Sequence, residues 1–444
     1  MNKKIYFKVA TVLLLVVFSL FAVNSSNAKI IKKTEKIKIE GHFEELNIEQ
    51  LAQIDASLCL KEGIKLKDNR ILLPSIQKIY NPVDNSLVIV PFPKDYHFEP
   101  GDGLVLKDGN VFFLSTLNID PDEQFSKEFA RLIYDDLEEE VKTTKNFQTI
   151  LRLKPEVQRK FVEHKLKDHP DLLKRYNDYK KEYEDSAHGY IYNPETNTFN
   201  VTPGKAIIRR KAPQKVQLSN GNILMIGGRP QAGSDYFTNH SAIEIYNFKT
   251  GKFELIKTDK VFKYIKIFPL KNDQIFIQYY PKSYIYYDAK NNKFSEPKKF
   301  NLRFAPIILQ LKNGNFLLFA VGRTVQEGYY ITRYINDNAE LFNPYTEELT
   351  HVCELAIPRG EWGDFYYVEL QDGRILIYGG VEYPKHKRIK DAEILDLTTG
   401  ISKVIGYTRN ERYYENSILL DDGRAMLFGS TTEVYIPENY EKNK

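Results

Sequence analysis

Seven times the chain repeats one short phrase: a leucine, two polar residues and a turn residue, followed by a burst of apolar residues. The copies are Leu66-Lys67-Asp68-Asn69, Leu106-Lys107-Asp108-Gly109, Leu218-Ser219-Asn220-Gly221, Leu270-Lys271-Asn272-Asp273, Leu311-Lys312-Asn313-Gly314, Leu370-Gln371-Asp372-Gly373 and Leu420-Asp421-Asp422-Gly423. Asn-Gly and Asp-Gly pairs supply the positive φ angles of a tight two-residue hairpin, so each copy marks a turn between two strands. A chain built this way must bury many short hairpins at once.

The apolar runs after the turns are too short for helices and rich in β-formers, as in Val111 to Leu114, Ile223 to Ile226, Phe316 to Phe319 and Ile375 to Tyr378. They read as fully buried strands. A third strand in each unit ends in a large apolar residue plus Asn or Asp, as in Tyr192-Asn193, Tyr246-Asn247, Tyr287-Asp288, Phe342-Asn343 and Leu395-Asp396, before a turn into a fourth. Leucine to leucine, the spacings are 40, 112, 52, 41, 59 and 50 residues. Apart from the second, these suit one four-stranded meander per unit, at roughly 40 to 50 residues each. Packing such meanders radially buries both faces of each, which predicts an all-β, seven-bladed β-propeller.

The units at Leu218 to Gly228 with Ala242-Ile243-Glu244-Ile245-Tyr246, and at Leu370 to Gly380 with Ala392-Glu393-Ile394-Leu395, resemble the kelch-repeat family. Kelch repeats carry a Gly-Gly doublet after the second strand and a Tyr and a Trp further on. Here the doublet survives in two units, and Trp362 is the sole tryptophan, so most blades are degenerate. The resemblance spans roughly residues 60 to 436. It implies the fold and leaves activity open, because kelch propellers serve as enzymes and as binding platforms. Copper oxidases that resemble kelch propellers need two histidines, two tyrosines and a modified cysteine around the axis. The cysteine and histidine pattern here does not fit that set, and no cofactor is expected.

Residues 1–28 read as a secretory signal peptide: Lys3, Lys4 and Lys8, an apolar stretch from Ala10 to Val23, then Ser26-Asn27-Ala28 at the cleavage position. The stretch is shorter than the roughly 20 residues that cross a bilayer. The expected product is exported, periplasmic or extracellular, with the propeller over residues 29–444 and no membrane segment left after signal removal. Only Cys59 and Cys353 are present, in units that are not neighbours, so both read as buried thiols. With 63 basic and 59 acidic residues the net charge is +4, too little for a field that recruits nucleic acid. A monomer is expected.

The long spacing comes from an insert at 118–187 between the second and third strands of the second unit, dominated by charged residues, without glycine and apolar at helical intervals. Phe125, Phe129, Leu132 and Ile133 share a face, Pro155 opens a second segment, and Pro170 opens a third with Tyr176, Tyr179 and Tyr183. Two or three amphipathic helices are expected, as a decoration or as a recognition arm on one rim.

Chemistry is sparsely signalled. Arg210, Arg303 and Arg412 stand eleven residues before a turn glycine, a register held by Trp362 in the sixth unit, and Arg229 and Arg323 follow second-strand glycines. Matching positions in a propeller form a ring, so these residues are candidates for holding an anionic ligand at the channel mouth by bidentate bonds and stacking. The competing reading, which we prefer, is that Arg210, Arg303 and Arg412 pin the loops between blades and that Arg229 and Arg323 are solvated loop residues. Glu244, Glu340, Glu393 and Glu433 recur within third strands, which points to a role in every blade and not to one catalytic acid. His188, His240 and His386 are isolated, so a metal centre is unsupported. The function expected is a binding module for a protein or glycan partner. The alternative is a sugar-active enzyme similar to exported kelch-type sialic acid mutarotases, for which no acid or base can be named.

Overall fold

The computed structural model describes residues 41–46, 62–94, 102–115, 121–131 apart from 126 and 130, 165–228 and 243–438, the last apart from 259, 261, 263–264, 280–281, 303–305, 320–322, 328–329, 335–336, 360–364, 383–386, 410–415 and 430. After β1 (Gly41–Glu45), blade one is β2 (Ile64–Lys65), β3 (Ile71–Leu73), β4 (Lys78–Tyr80) and β5 (Leu87–Ile89). Blade two is β6 (Leu104–Val105), β7 (Val111–Leu114), β8 (His188–Asn193) and β9 (Thr198–Lys205). Blade three is β10 (Gln214–Gln217), β11 (Ile223–Ile226), β12 (Ile243–Asn247) and β13 (Lys252–Ile256). Blade four is β14 (Lys266–Pro269), β15 (Gln274–Tyr279), β16 (Ser283–Asp288), β17 (Lys293–Phe294) and β18 (Lys298–Lys299). Blade five is β19 (Ile307–Gln310), β20 (Phe316–Phe319), then a hairpin of β21 (Arg323–Glu327) and β22 (Tyr330–Tyr334), then β23 (Asn338–Phe342) and β24 (Leu349–Glu354). Blade six is β25 (Tyr366–Glu369), β26 (Ile375–Tyr378), a hairpin of β27 (Val381–Glu382) and β28 (Lys387–Arg388), β29 (Asp391–Asp396) and β30 (Ile401–Tyr407). Blade seven is β31 (Ser417–Leu419), β32 (Ala425–Leu427) and β33 (Glu433–Pro437), completed by β1.

All pairings are antiparallel, and closure comes from β1 lying against β33 with Gly41 opposite Pro437 and Glu45 opposite Glu433. The ring is thus closed by strands from both ends of the chain, which covers an edge that would otherwise be open. The alternation at Lys36 to Glu40 suggested that segment for the closing strand; it lies outside the described residues, and the observed strand starts at Gly41. Phe43 fixes it there, its ring 5.3 Å from that of Tyr435.

The core explains why the second strands are apolar without alternation. Successive side chains of a strand point to opposite faces, and in a propeller each face meets a neighbouring blade. Val111 and Phe113 join the cluster shared with blade one, while Phe112 and Leu114 join the one shared with blade three. Further clusters join blades three and four, four and five, five and six, six and seven, and seven and one. Seven blade interfaces close seven blades into a ring. Each fully buried Leu, Ile or Phe contributes roughly 1.5–3 kcal/mol, so stability is spread around the ring.

The leucine turns differ from the two-residue hairpins expected. In the second unit the Leu106 N–H donates to the Asn110 carbonyl and the Gly109 N–H to the Leu106 carbonyl. The loop has three residues, of which the last takes positive φ, 97° at Gly109 and 69° at Asn69. This is a type I turn relieved by one left-handed residue, which is why Asp or Asn precedes the glycine without itself being left-handed. The next turns, between third and fourth strands, use Asn or Asp differently: Asn193 Oδ1 accepts the N–H groups of Glu195 and Thr196, and Asp396 Oδ1 those of Thr398 and Thr399. The tyrosine before such a turn often closes it, Tyr80 donating to Asn85, Tyr192 to Asn197 and Tyr287 to Asn292.

Of the insert, the described parts include α1 (Pro121–Gln124) and α2 (Pro170–Asp185). Phe125 and Phe129 pack with Tyr176, centroids 5.7 and 5.5 Å away, and the Tyr176 hydroxyl donates to Asp122 over 2.7 Å. The segment opened by Pro155, with Leu132 and Ile133, lies outside the described residues, as do Cys59 and the N-terminal 40 residues. Cys353 is a free thiol on β24 and is half-buried, not fully buried, because a fourth strand has one face in solvent. Burial nonetheless pushes its thiol up from the usual range. No helix among the described residues is long and apolar enough to cross a membrane.

Candidate binding face and cleft

Antiparallel order sends the connections of each blade to two rims. Turns from first to second and third to fourth strands share one rim, and connections from second to third strands and between blades share the other. On the first rim the leucine-turn residues tie neighbouring blades together. Lys107 Nζ donates to the Leu218 carbonyl over 3.1 Å and Lys312 Nζ to the Leu370 carbonyl over 3.0 Å, each reaching the next blade. Lys67 reaches the Lys107 carbonyl, Ser219 pairs with Asp273, and the Asp421 N–H donates to Asn69. The lysine that follows so many of the repeat leucines is therefore an inter-blade staple.

The second rim carries, among the described residues, the helices of the insert and the two hairpins of blades five and six. Here Arg210 is fully buried, its Nη2 2.8 Å from Glu244 Oε2 and 3.4 Å from the Met225 carbonyl. Glu244 Oε1 also accepts the N–H groups of Ile207 and Ile208, which enter blade three from blade two. The carboxylate thus holds the incoming linker and the guanidinium together, the pinning role set beside the ligand role in the sequence. Burial pulls Arg210 down and pushes Glu244 up, each shift opposed by the other's charge.

Blade six repeats the arrangement with Arg359. Its Nη1 bonds Glu393 Oε1, its Nε donates to the Gly379 carbonyl over 3.1 Å, and Glu393 Oε2 accepts the Ala356 N–H over 2.8 Å. Ile207 precedes Arg210 by three residues, as Ala356 precedes Arg359, and both arginines stand 34 residues before their glutamates. Arg359 is therefore the counterpart of Arg210, although counting back from the turn glycine had put Trp362 there. The linker of blade six is longer, so the equal interval is arginine to glutamate. In blade seven Glu433 accepts the Arg409 N–H, and in blade five Glu340 faces His351 at 3.2 Å. The left-handed Gly227 and Gly228 beside the Arg210 latch have φ of 72° and 95°, and a Cβ on Gly228 would come within 2.9 Å of the Lys211 carbonyl. That close approach accounts for the glycine doublet.

Arg229, Arg303, Trp362 and Arg412 lie outside the described residues, and Arg323 begins β21 on the irregular rim. The side chains that the structure does bring together on this rim form a cleft of about 420 Å³ between α2 and blade two, lined by Ser115, Asp178, Lys181, Glu182, Asp185, Ser186, His188 and Tyr190. The joint is firm: the Arg209 guanidinium lies 3.9 Å from the Tyr183 ring centroid, and Lys205 Nζ donates to the Glu184 carbonyl over 2.7 Å. A cation on the last carbonyls of a helix suits its negative end. Ala187, at φ 73°, turns the chain from the helix into β8, and the Ser115 N–H donates to the His188 carbonyl over 2.9 Å. Sequence reasoning left His188 as an isolated histidine. The usable signal was the spacing of Asp178, Glu182 and Asp185 on one helical face.

The chain matches no protein-family model and no curated protein.

Proposed function

We propose that the protein is an exported, kelch-like propeller that acts as a binding module, engaging a protein or glycan partner through the irregular rim. The observation that carries this reading is the asymmetry between the two rims. One is committed to inter-blade hydrogen bonds from staple lysines, whereas the other presents long connections on a rigid ring, the usual division between scaffold and binding loops. Arg229, Arg323 and Trp362 belong to connections of this rim by their place between described strands, and are proposed as contact residues. The lysine-rich start and apolar stretch before Ala28 support export. The kelch assignment rests on the two units that keep the glycine doublet and the Arg–Glu latch. The anionic-ligand ring loses support at Arg210, whose charge is occupied by Glu244.

The test is glycan-array and surface-protein binding by residues 29–444, with two sets of variants. Replacing 119–186 by a short linker and Arg323–Tyr334 by a tight turn should abolish binding. Substituting Lys107 and Lys312 on the opposite rim should lower stability and leave affinity alone. Binding that tracks the lysine rim would overturn the proposal.

A further inference from the structure

The charge of this chain is unevenly placed. Residues 249–299, which include β13 and every strand of blade four, hold twelve lysines, no arginine and five acidic residues, a net charge of +7. The whole chain stands at +4, so everything outside this stretch sums to −3. A near-neutral total thus hides one basic sector.

The fold puts these lysines at the outer edges of two adjacent blades. β13 is the outermost strand of blade three, and β17 and β18 pair with β16 at the outside of blade four. Lys252 and Lys293 open β13 and β17, opposite Asn247 and Asp288, and so stand at the same height near the first rim. Lys257 follows β13 and Lys299 lies opposite Ser283, both towards the second rim, about 17 Å further along at ~3.3 Å per residue. All four side chains are exposed, and none has an ion pair or a side-chain hydrogen bond among the described residues. The acids nearby are engaged by other groups: Asp288 accepts the N–H groups of Lys290 and Asn291, and Glu254 the side-chain amide of Asn247. Lys298, by contrast, is paired with Glu347 of blade five.

A ring with seven outer edges rests on a flat surface along two neighbouring edges, and here two neighbouring edges are basic. Leu255, 44% exposed between Lys252 and Lys257, adds an apolar contact. Lysine without arginine suits such a surface. An ammonium on a flexible stem acts as a point charge, whereas the guanidinium fork orients a single carboxylate or phosphate. Clusters of roughly four to eight lysines are what an anionic lipid surface recruits.

We infer that the outer edges of blades three and four dock the propeller on an anionic lipid bilayer, as a peripheral contact made by charge. Both rims then stand perpendicular to the membrane, and the irregular rim stays open to its own partner. The inference goes beyond the rim reading and uses none of its residues.

The experiment is sedimentation of residues 29–444 with vesicles of phosphatidylglycerol and phosphatidylcholine in equal amounts, beside vesicles of phosphatidylcholine alone and a separate titration with polygalacturonate. The protein should sediment with the mixed vesicles only and be released at about 1 M salt, where the screening length is ~3 Å. Affinity should fall at least fivefold in Lys252→Gln/Lys257→Gln and in Lys293→Gln/Lys299→Gln, while the variant with arginine at all four positions should bind as the parent does. Unchanged urea midpoints would show that the ring is intact. Sedimentation with phosphatidylcholine alone, binding insensitive to salt, or binding that survives glutamine at all four positions would overturn the assignment. Polygalacturonate binding without vesicle binding would also overturn it, giving these edges to a linear polyanion. Replacing 119–186 and Arg323–Tyr334 should leave vesicle binding unchanged. Vesicle binding lost there but kept in the glutamine variants would sink the edges and leave the rim reading standing.

Discussion

Replacing Glu393 by glutamine tests whether the Arg–Glu pair of blade six is a latch. Arg359 and Glu393 are 1% and 0% exposed, so the substitution takes from a buried guanidinium its bonded counter-charge and leaves the Asp391 carboxylate as the charge that still acts on it. Breaking a buried pair from one side costs about 3–5 kcal/mol. Three carbonyls, of Gly379, Ile357 and Asp391, still accept from Arg359, which places the expectation near the lower end, about 3 kcal/mol. In the double variant Arg359→Met/Glu393→Gln the charge is gone, and the glutamine carbonyl still receives the Ala356 N–H. Its cost should be about 1–2 kcal/mol, so the two changes couple by roughly 2 kcal/mol or more. Glu340→Gln is the internal comparison: its partner His351 has a side chain 55% exposed, so about 1 kcal/mol or less is expected. Urea unfolding followed by circular dichroism reads the parent, the single variants Arg359→Met and Glu393→Gln, the double variant and Glu340→Gln. A Glu393→Gln variant within about 1 kcal/mol of the parent, or additive single effects, would refute the latch.

The interval from linker N–H to arginine puts Arg412 three residues after Arg409, whose N–H donates to Glu433. Arg412→Met should therefore cost about 3 kcal/mol in the same urea assay, and a neutral result would mean the interval does not carry over. Replacing 119–186 with a Gly-Ser linker should keep a cooperative β-protein, since each doubling of loop length costs only about 0.6 kcal/mol and the Phe125–Tyr176 packing is internal to the insert; a molten product by near-ultraviolet dichroism would contradict this. Lys107→Met should cost about 1.5 kcal/mol by removing a charged donor from the Leu218 carbonyl, and should leave ligand binding untouched. Burial pushes Tyr80, Tyr192, Tyr284 and Tyr287 up to about 12 in the folded state. A raised folded value means that stability is complete below the ordinary tyrosine range near pH 10 and is lost as pH rises towards 12. Tyrosinate absorbance should show these four rings silent at pH 11 until unfolding begins, and their early titration would contradict the burial.

The repeat leucines, the apolar second strands and the Asn or Asp after the third strands were legible because each answers to local physics. A turn needs a left-handed residue at one place, and a strand between two blades needs apolar residues on both faces. The position of the insert and the exchange of strands between the chain ends were legible for the same reason, the unit count leaving one meander a strand short. Trp362 was placed where Arg359 belongs because linkers between blades vary in length. Counting residues from the turn measures chain, whereas the latch is set by the distance from linker to third strand.

From the sequence alone follow seven blades, their order and the insert's place, because hairpins and meanders are fixed by residues within a few positions of each other. Which charges meet was decided only by the tertiary structure. Arg210 was a ligand candidate until its burial against Glu244 gave it a partner 34 residues away, and His188 was an isolated residue until the chain returned from the insert to set it opposite α2. Pairing energies depend on distance and burial, and neither is a property of a residue's place in the chain.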